Sequence, residues 1–149
     1  MKKKLLAAAA CLFISGPAFA MTETECADMW TKADANLDGM LTAAESERQA
    51  AWMRIAEKPM AADGTINEAM FKENCMANVF ATAKVDEGAP LEGANSFTEG
   101  QAKDRVIAAG MSAASTMTKD DKGIWRGTAT QDGKTMQVAV DYKGNVVAQ

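Results

Sequence analysis

The chain has 149 residues, 48% of them hydrophobic and 24% charged, with a mean hydropathy of −0.19. That size and balance exclude a large multidomain enzyme and describe one compact domain or two very small ones. There is no His, there are three Cys, and 16 Lys and Arg stand against 20 Asp and Glu. Without imidazole, Ser–His catalysis and His-based zinc sites are excluded. A net charge of −4 and a pI near 4.9 argue against nucleic acid as a partner, since a phosphate-binding surface needs clustered Lys and Arg.

Residues 1–20 combine a basic start (Lys2, Lys3, Lys4), an apolar run from Leu5 to Ile14, a Gly16-Pro17 breaker and then Ala18-Phe19-Ala20. This layout predicts a cleaved signal peptide and a periplasmic or secreted protein of a bacterial type. Lipoprotein processing at Cys11 is the weaker reading, because Ala8 stands where a bulky aliphatic is usual and the apolar run continues past the cysteine. The run is about half of the roughly 20 residues a spanning helix requires, and nothing later is apolar for longer, so no membrane span is expected. Removing the leader removes three lysines and leaves a more acidic chain. Its remaining cysteines, Cys26 and Cys75, form an even pair bound for an oxidising compartment, which predicts a Cys26–Cys75 disulfide over two separately buried thiols. In the chain-entropy description, closing that loop stabilises by roughly 3–4 kcal/mol.

From Thr22 the period is helical. Cys26, Met29, Trp30 and Ala33 fall on one stripe, and Thr22 with Glu25 offers a capping box. A second helix is expected from about Ala43 to Glu57, with Ala44, Ala51, Trp52 and Ile55 on one side and Pro59 marking its end. A third follows Asn67 as N-cap and carries Phe71, Cys75 and Val79 in one row, with Met76 and Phe80 beside it.

Between the first two helices lie the twelve residues Asp34-Ala35-Asn36-Leu37-Asp38-Gly39-Met40-Leu41-Thr42-Ala43-Ala44-Glu45. A hard cation such as calcium needs six to eight oxygens at about 2.3–2.6 Å, gathered by a short backbone that doubles back on itself. Asp34, Asn36 and Asp38 place side-chain oxygens at alternating positions, and Gly39 permits the reversal that a Cβ would resist. This stretch resembles an EF-hand calcium loop at each diagnostic position. The resemblance implies that Met40 contributes its backbone carbonyl, Thr42 a hydroxyl or an intervening water, and Glu45 both carboxylate oxygens, while Leu41 anchors the loop in the core. Trp30, four residues before the loop, is similar to the aromatic usual there. The plainer reading is a helix–turn–helix connection in which Asp, Asn and Gly only cap and turn the chain; it accounts for Asp38-Gly39 but does not require Asp34, Asn36, Thr42 and Glu45 at these spacings.

A degraded copy follows at Pro59–Met70. With Gly64 aligned on Gly39, Asp63 stands opposite Asp38, Ile66 opposite Leu41 and Asn67 opposite Thr42, but the first, third and twelfth places hold Pro59, Ala61 and Met70. Most oxygen ligands are gone, so this copy is expected to serve as a structural partner, with Leu41 and Ile66 pairing as a short ribbon. Only Ser46–Lys58 separates the two loops, room for one helix of roughly 20 Å at 1.5 Å per residue. One helix then serves both loops, a compressed EF-hand pair.

Residues 85–96 concentrate Gly, Pro and acidic residues without periodicity and read as a linker. Beyond it, Thr98 with Gln101 makes a second capping box for a helix carrying Ala102, Val106 and Ile107 and stopping near Gly110. The period then changes to two. Segments Ala113–Lys119, Ile124–Gln131, Lys134–Tyr142 and Asn145–Ala148 are separated by Asp121-Lys122-Gly123, Asp132-Gly133 and Lys143-Gly144, which predicts an antiparallel meander. Trp125, Gly127 and Ala129 share one side, as do Met136, Val138, Val140 and Tyr142, and that face is expected to pack on the preceding helix. Through Gly123-Ile124-Trp125-Arg126-Gly127 and Asp141-Tyr142-Lys143-Gly144-Asn145-Val146, residues 97–149 look like the helix-plus-strands half of a PepSY-type domain, which implies an interaction with an envelope protein or peptide.

The expected fold class is α+β: a leader over 1–20, the EF-hand pair over 21–84, a linker over 85–96, and a PepSY-like helix plus antiparallel sheet over 97–149. The expected function is binding of one calcium ion by Asp34, Asn36, Asp38, Met40, Thr42 and Glu45, as a sensor or a buffer. The alternative is an envelope interaction or protease-inhibitor module with a structural metal loop. No enzyme is expected, because the carboxylates are absorbed by the metal loop and the cysteines by each other. A trivalent lanthanide shares calcium's preference for oxygen.

Overall fold

In the computed structural model the described residues are 21–80, 85–86 and 88–148, so the expected signal peptide lies outside them. The fold is α+β, with four helices and two sheets among the described residues. No described helix is long and apolar enough to cross a membrane.

The first helix, α1 (Glu23–Ala33), begins at the expected capping box: the Thr22 hydroxyl accepts the Glu25 N–H at 3.2 Å and Glu25 Oε2 accepts the Thr22 N–H at 2.8 Å. It is followed by β1 (Met40–Leu41), α2 (Ala43–Ile55), β2 (Ile66–Asn67) and α3 (Glu68–Met76). The Asn67 side chain accepts the Met70 N–H at 2.9 Å, capping α3 as the sequence predicts. α2 stops short of Glu57 because that residue takes φ +54, outside the helical region. The Cys26–Cys75 disulfide forms, joining α1 to α3 with the two Cα atoms 5.8 Å apart. Around it lies one core of Trp30, Leu41, Ala50, Met53, Ile66, Phe71 and Phe80, in which Trp30 meets Phe71 edge-on at 5.4 Å.

The burial of α2 differs from the expected stripe. Ala44 is exposed and Trp52 and Ile55 are only partly buried, whereas Ala50, Ala51 and Met53 are buried. The reason is that α2 is covered on two sides: one face joins the disulfide core and another packs on α4 (Glu99–Ala108). Arg48 Nε donates to the Ala108 carbonyl at 3.2 Å, and Arg54 pairs with Asp104 at 2.6 Å.

The second half is α4 against a five-stranded sheet. Its strands are β3 (Val85–Asp86), β4 (Thr118–Lys119), β5 (Trp125–Gln131), β6 (Lys134–Val140) and β7 (Val146–Ala148), in the order β3-β7-β6-β5-β4. The meander β4–β7 is antiparallel, with Trp125 opposite Val140 and Val140 opposite Val146. Ala102, Val106 and Ala109 of the helical side close over Ala129, Val138 and Val140.

Three departures from the sequence reading are local. Residues 85–96 are not wholly a linker, because Val85 and Asp86 pair in parallel with Val146 and Val147; two residues are too few to produce a period. The stretch from Ala113 yields strand only at Thr118–Lys119, since Ala113 takes φ +51 and only Ser112 and Ser115 upstream bond to β5, at Thr130 and Thr128. Tyr142 does not continue the buried row: β6 ends at Val140 and Tyr142 is exposed at the turn that follows.

Candidate metal centre

The loop is built outward from Asp34, which closes α1 and is only 4% exposed. Its Oδ1 accepts the Asp38 N–H at 3.1 Å and its Oδ2 the Gly39 N–H at 3.0 Å. Asn36 Oδ1 accepts the same Asp38 N–H at 2.9 Å, and its Nδ2 donates to Asp38 Oδ2 at 3.0 Å. Asp38 Oδ1 in turn accepts the Met40 N–H at 2.9 Å. Each of these side chains turns the backbone onto itself, the local competition with regular structure for which Asp and Asn are suited. The sharp reversal falls on Leu37 at φ +60 and Gly39 at φ +82. Nothing lies within 4 Å of a Cβ added at Gly39, so the need for glycine there is torsional and not steric.

Glu45 arrives from the other end. It sits in the first turn of α2, where a carboxylate favours the exposed N–H groups of the helix, and its Oε1 reaches back to accept the N–H of Ala35 at 3.1 Å and of Asn36 at 3.3 Å. Thr42 is the N-cap residue of α2, with φ −125 and ψ 156, but its side chain makes no capping hydrogen bond. Met40 and Leu41 are held by the ribbon, opposite Asn67 and Ile66, and both Leu41 and Ile66 are fully buried. The expected pairing of these two neighbourhoods is therefore present, and it pins the loop's exit to the disulfide core.

Four of the six residues expected at the site, Asp34, Asn36, Asp38 and Glu45, thus accept from the backbone N–H groups of Ala35, Asn36, Asp38, Gly39 and Met40. Met40 and Thr42 flank them in the ribbon and at the helix start. The carboxylates are not gathered into a ready cage: among the described residues no group of three or more His, Cys, Asp or Glu is disposed to hold a metal ion. The donor chemistry nonetheless fits a hard cation. All the side-chain donors are oxygens, and a carboxylate with about four acceptor sites keeps lone pairs free after accepting one or two N–H bonds.

The stretch Pro59–Met70, expected as a degenerate copy, has a glycine turn, and its remaining side-chain oxygens are engaged locally. Gly64 takes φ +77 and its N–H bonds the Ala61 carbonyl at 2.9 Å. Asp63 Oδ1 is held by the N–H and the hydroxyl of Thr65, which keep its carboxyl below the usual range. Asn67 is engaged in capping α3.

Two organising carboxylates escaped the sequence reading. Asp141 is 1% exposed, with Oδ1 accepting the N–H groups of Lys143 and Asn145, and Oδ2 the Leu91 N–H and Asn145 Nδ2. Asp120 repeats the pattern, its Oδ1 accepting from Lys122 and Ile124 and its Oδ2 from Arg126. Both begin an Asp-x-x-Gly stretch, which was the available signal.

Compared with known proteins, the chain matches no family model, no curated sequence and no solved structure.

Proposed function

We propose that this chain is an exported calcium-binding protein, a sensor or a buffer, that takes one ion in the loop Asp34–Glu45. The observation that carries the reading is the return of Glu45 to the N–H groups of Ala35 and Asn36, which joins the twelfth residue of the loop to its beginning. A loop that only connected two helices would need the Asp38-Gly39 turn but not this closure. Asp34, Asn36 and Asp38 would supply side-chain oxygens, Met40 its carbonyl, Thr42 its hydroxyl or a water, and Glu45 its carboxylate. The bound ion would supply positive charge to three carboxylates within one short loop and so stabilise the helical half by mass action.

With three carboxylates, affinity is expected in the micromolar-to-millimolar part of the EF-hand range. Calorimetric titration with calcium, magnesium and a trivalent lanthanide, repeated for Glu45→Gln, tests the assignment. Calcium heat that saturates at one equivalent in the parent and disappears in the variant supports it. Absence of any calcium response up to several millimolar removes it.

A further inference from the structure

Where α1 meets α3, four sulfur atoms come together. Cys26 and Cys75 are bonded to each other, Met21 Sδ lies 3.6 Å from Cys75 Sγ, and Met29 Sδ lies 4.0 Å from it. A disulfide sulfur carries no proton, so these are sulfur–sulfur contacts and not hydrogen bonds. Both cysteines are fully buried, whereas both methionines are only partly so. Met29 also lines a cavity of about 80 Å³ together with Arg48, Gln49, Trp52 and Phe80.

We propose that reduction of Cys26–Cys75 opens a binding site for copper(I), with the two cysteine sulfurs and the thioethers of Met21 and Met29 as ligands. Metal–sulfur bonds of about 2.3 Å place ligand sulfurs roughly 3.8 Å apart in a tetrahedral site. The two methionine sulfurs already stand near that spacing from Cys75 Sγ, and binding requires the two cysteine sulfurs to part. Thiolate with thioether is the soft donor set that selects copper(I), and the chain has no imidazole to favour other metals.

The chemistry balances with a dithiol as reductant. One of its thiolates attacks a cysteine sulfur and breaks the S–S bond; its second thiol then displaces that cysteine, leaving two protein thiols and a cyclic disulfide. Copper(I) releases one proton from each thiol it binds and does not change oxidation state. The oxidised protein offers no thiolate, so the site is closed.

The test is competition for copper(I) against a chromophoric chelator, using protein reduced anaerobically and freed of reductant. The reduced protein is expected to withdraw one copper(I) and the oxidised protein none. Met21→Leu and Met29→Leu are each expected to weaken binding, by no less than the roughly tenfold that loss of an outer-shell partner costs. If reduction alone lowers helicity, one equivalent of copper(I) restores it in the parent and not in the double variant, read by circular dichroism. Equal uptake by oxidised and reduced protein, or parental affinity in the reduced double variant, overturns the proposal.

Discussion

Arg54 of α2 holds Asp104 of α4 through two donors, Nη2 at 2.6 Å and Nε at 2.9 Å from the same carboxylate oxygen. This is the clearest polar tie between the helical half and the sheet half, reinforced one end away by Arg48 on the Ala108 carbonyl. The Arg54 side chain is 43% exposed and that of Asp104 only 15%. Solvent therefore screens much of the attraction, and Arg54→Ala is expected to cost about 0.5–1 kcal/mol in denaturant unfolding. A cost above about 3 kcal/mol would mean that Asp104 is left as an uncompensated buried charge, contrary to this reading.

Because α2 starts at the loop and ends against α4, a calcium sensor would move it. Met53 and Phe71 are fully buried and Trp52 partly so in the structure described, so repositioning the helix after Glu45 would change the surroundings of Trp52. Calcium is expected to shift the intrinsic fluorescence, and Trp52→Phe to remove most of the shift. Identical emission with and without calcium would rule out the sensor form and leave buffering.

Gly123 and Gly93 touch backbone to backbone. A Cβ on Gly123 would run into the Gly93 carbonyl oxygen, and Gly123 also has φ +78. Gly133, with φ +75, has nothing within 4 Å of its notional Cβ. Gly133→Ala is therefore expected to cost only the torsional penalty of about 1–2 kcal/mol. Gly123→Ala adds a clash that displaces the segment carrying Gly93, with an expected cost of about 4 kcal/mol or more. Equal unfolding midpoints for the two variants would contradict the close approach.

Asp141 gives stability a defined acid limb. Burial pushes its carboxyl up, but the Asn145 side chain and the N–H groups of Asn145, Leu91 and Lys143 together outweigh burial and hold it below the ordinary aspartate value. A folded-state value below the unfolded one means that the contribution is complete above the unfolded value and is lost as pH falls through the folded value, so the loss is expected below about pH 4. Asp141→Asn should be less stable at neutral pH, with a flatter decline toward pH 3. Parallel stability curves for variant and parent would show that this carboxylate does not set the acid limb.

What was legible in the chain was local. The capping pairs Thr22/Glu25 and Thr98/Gln101, the Asn67 cap and the Asp132-Gly133 turn each involve residues within a few positions, and each formed where the sequence put it. The disulfide and the Leu41–Ile66 pairing were also legible, the first from cysteine parity and the second from aligning Gly64 on Gly39. Some failures were local, such as the strand interrupted where Ala113 takes φ +51, but others depended on partners distant in sequence. The second buried face of α2 exists because α4 lies against it, and Val85-Asp86 is a strand only because β7 offers an edge. Asp141 is buried because the segment at Leu91 returns across it. In the loop Asp34–Glu45 the spacing of Asp34, Asn36, Asp38 and Glu45 was readable, but their engagement with the N–H groups of Ala35, Asn36, Asp38, Gly39 and Met40 was not, since side-chain hydrogen bonds leave no periodic trace.

The N–H groups of Ala35, Asn36, Asp38, Gly39 and Met40 report directly on those oxygens, which makes a calcium titration followed by proton–nitrogen NMR the sharpest measurement. These five resonances are expected to shift together, saturate at one equivalent bound, and stay fixed in Glu45→Gln. Resonances from residues 34–45 that do not move up to several millimolar calcium would contradict it.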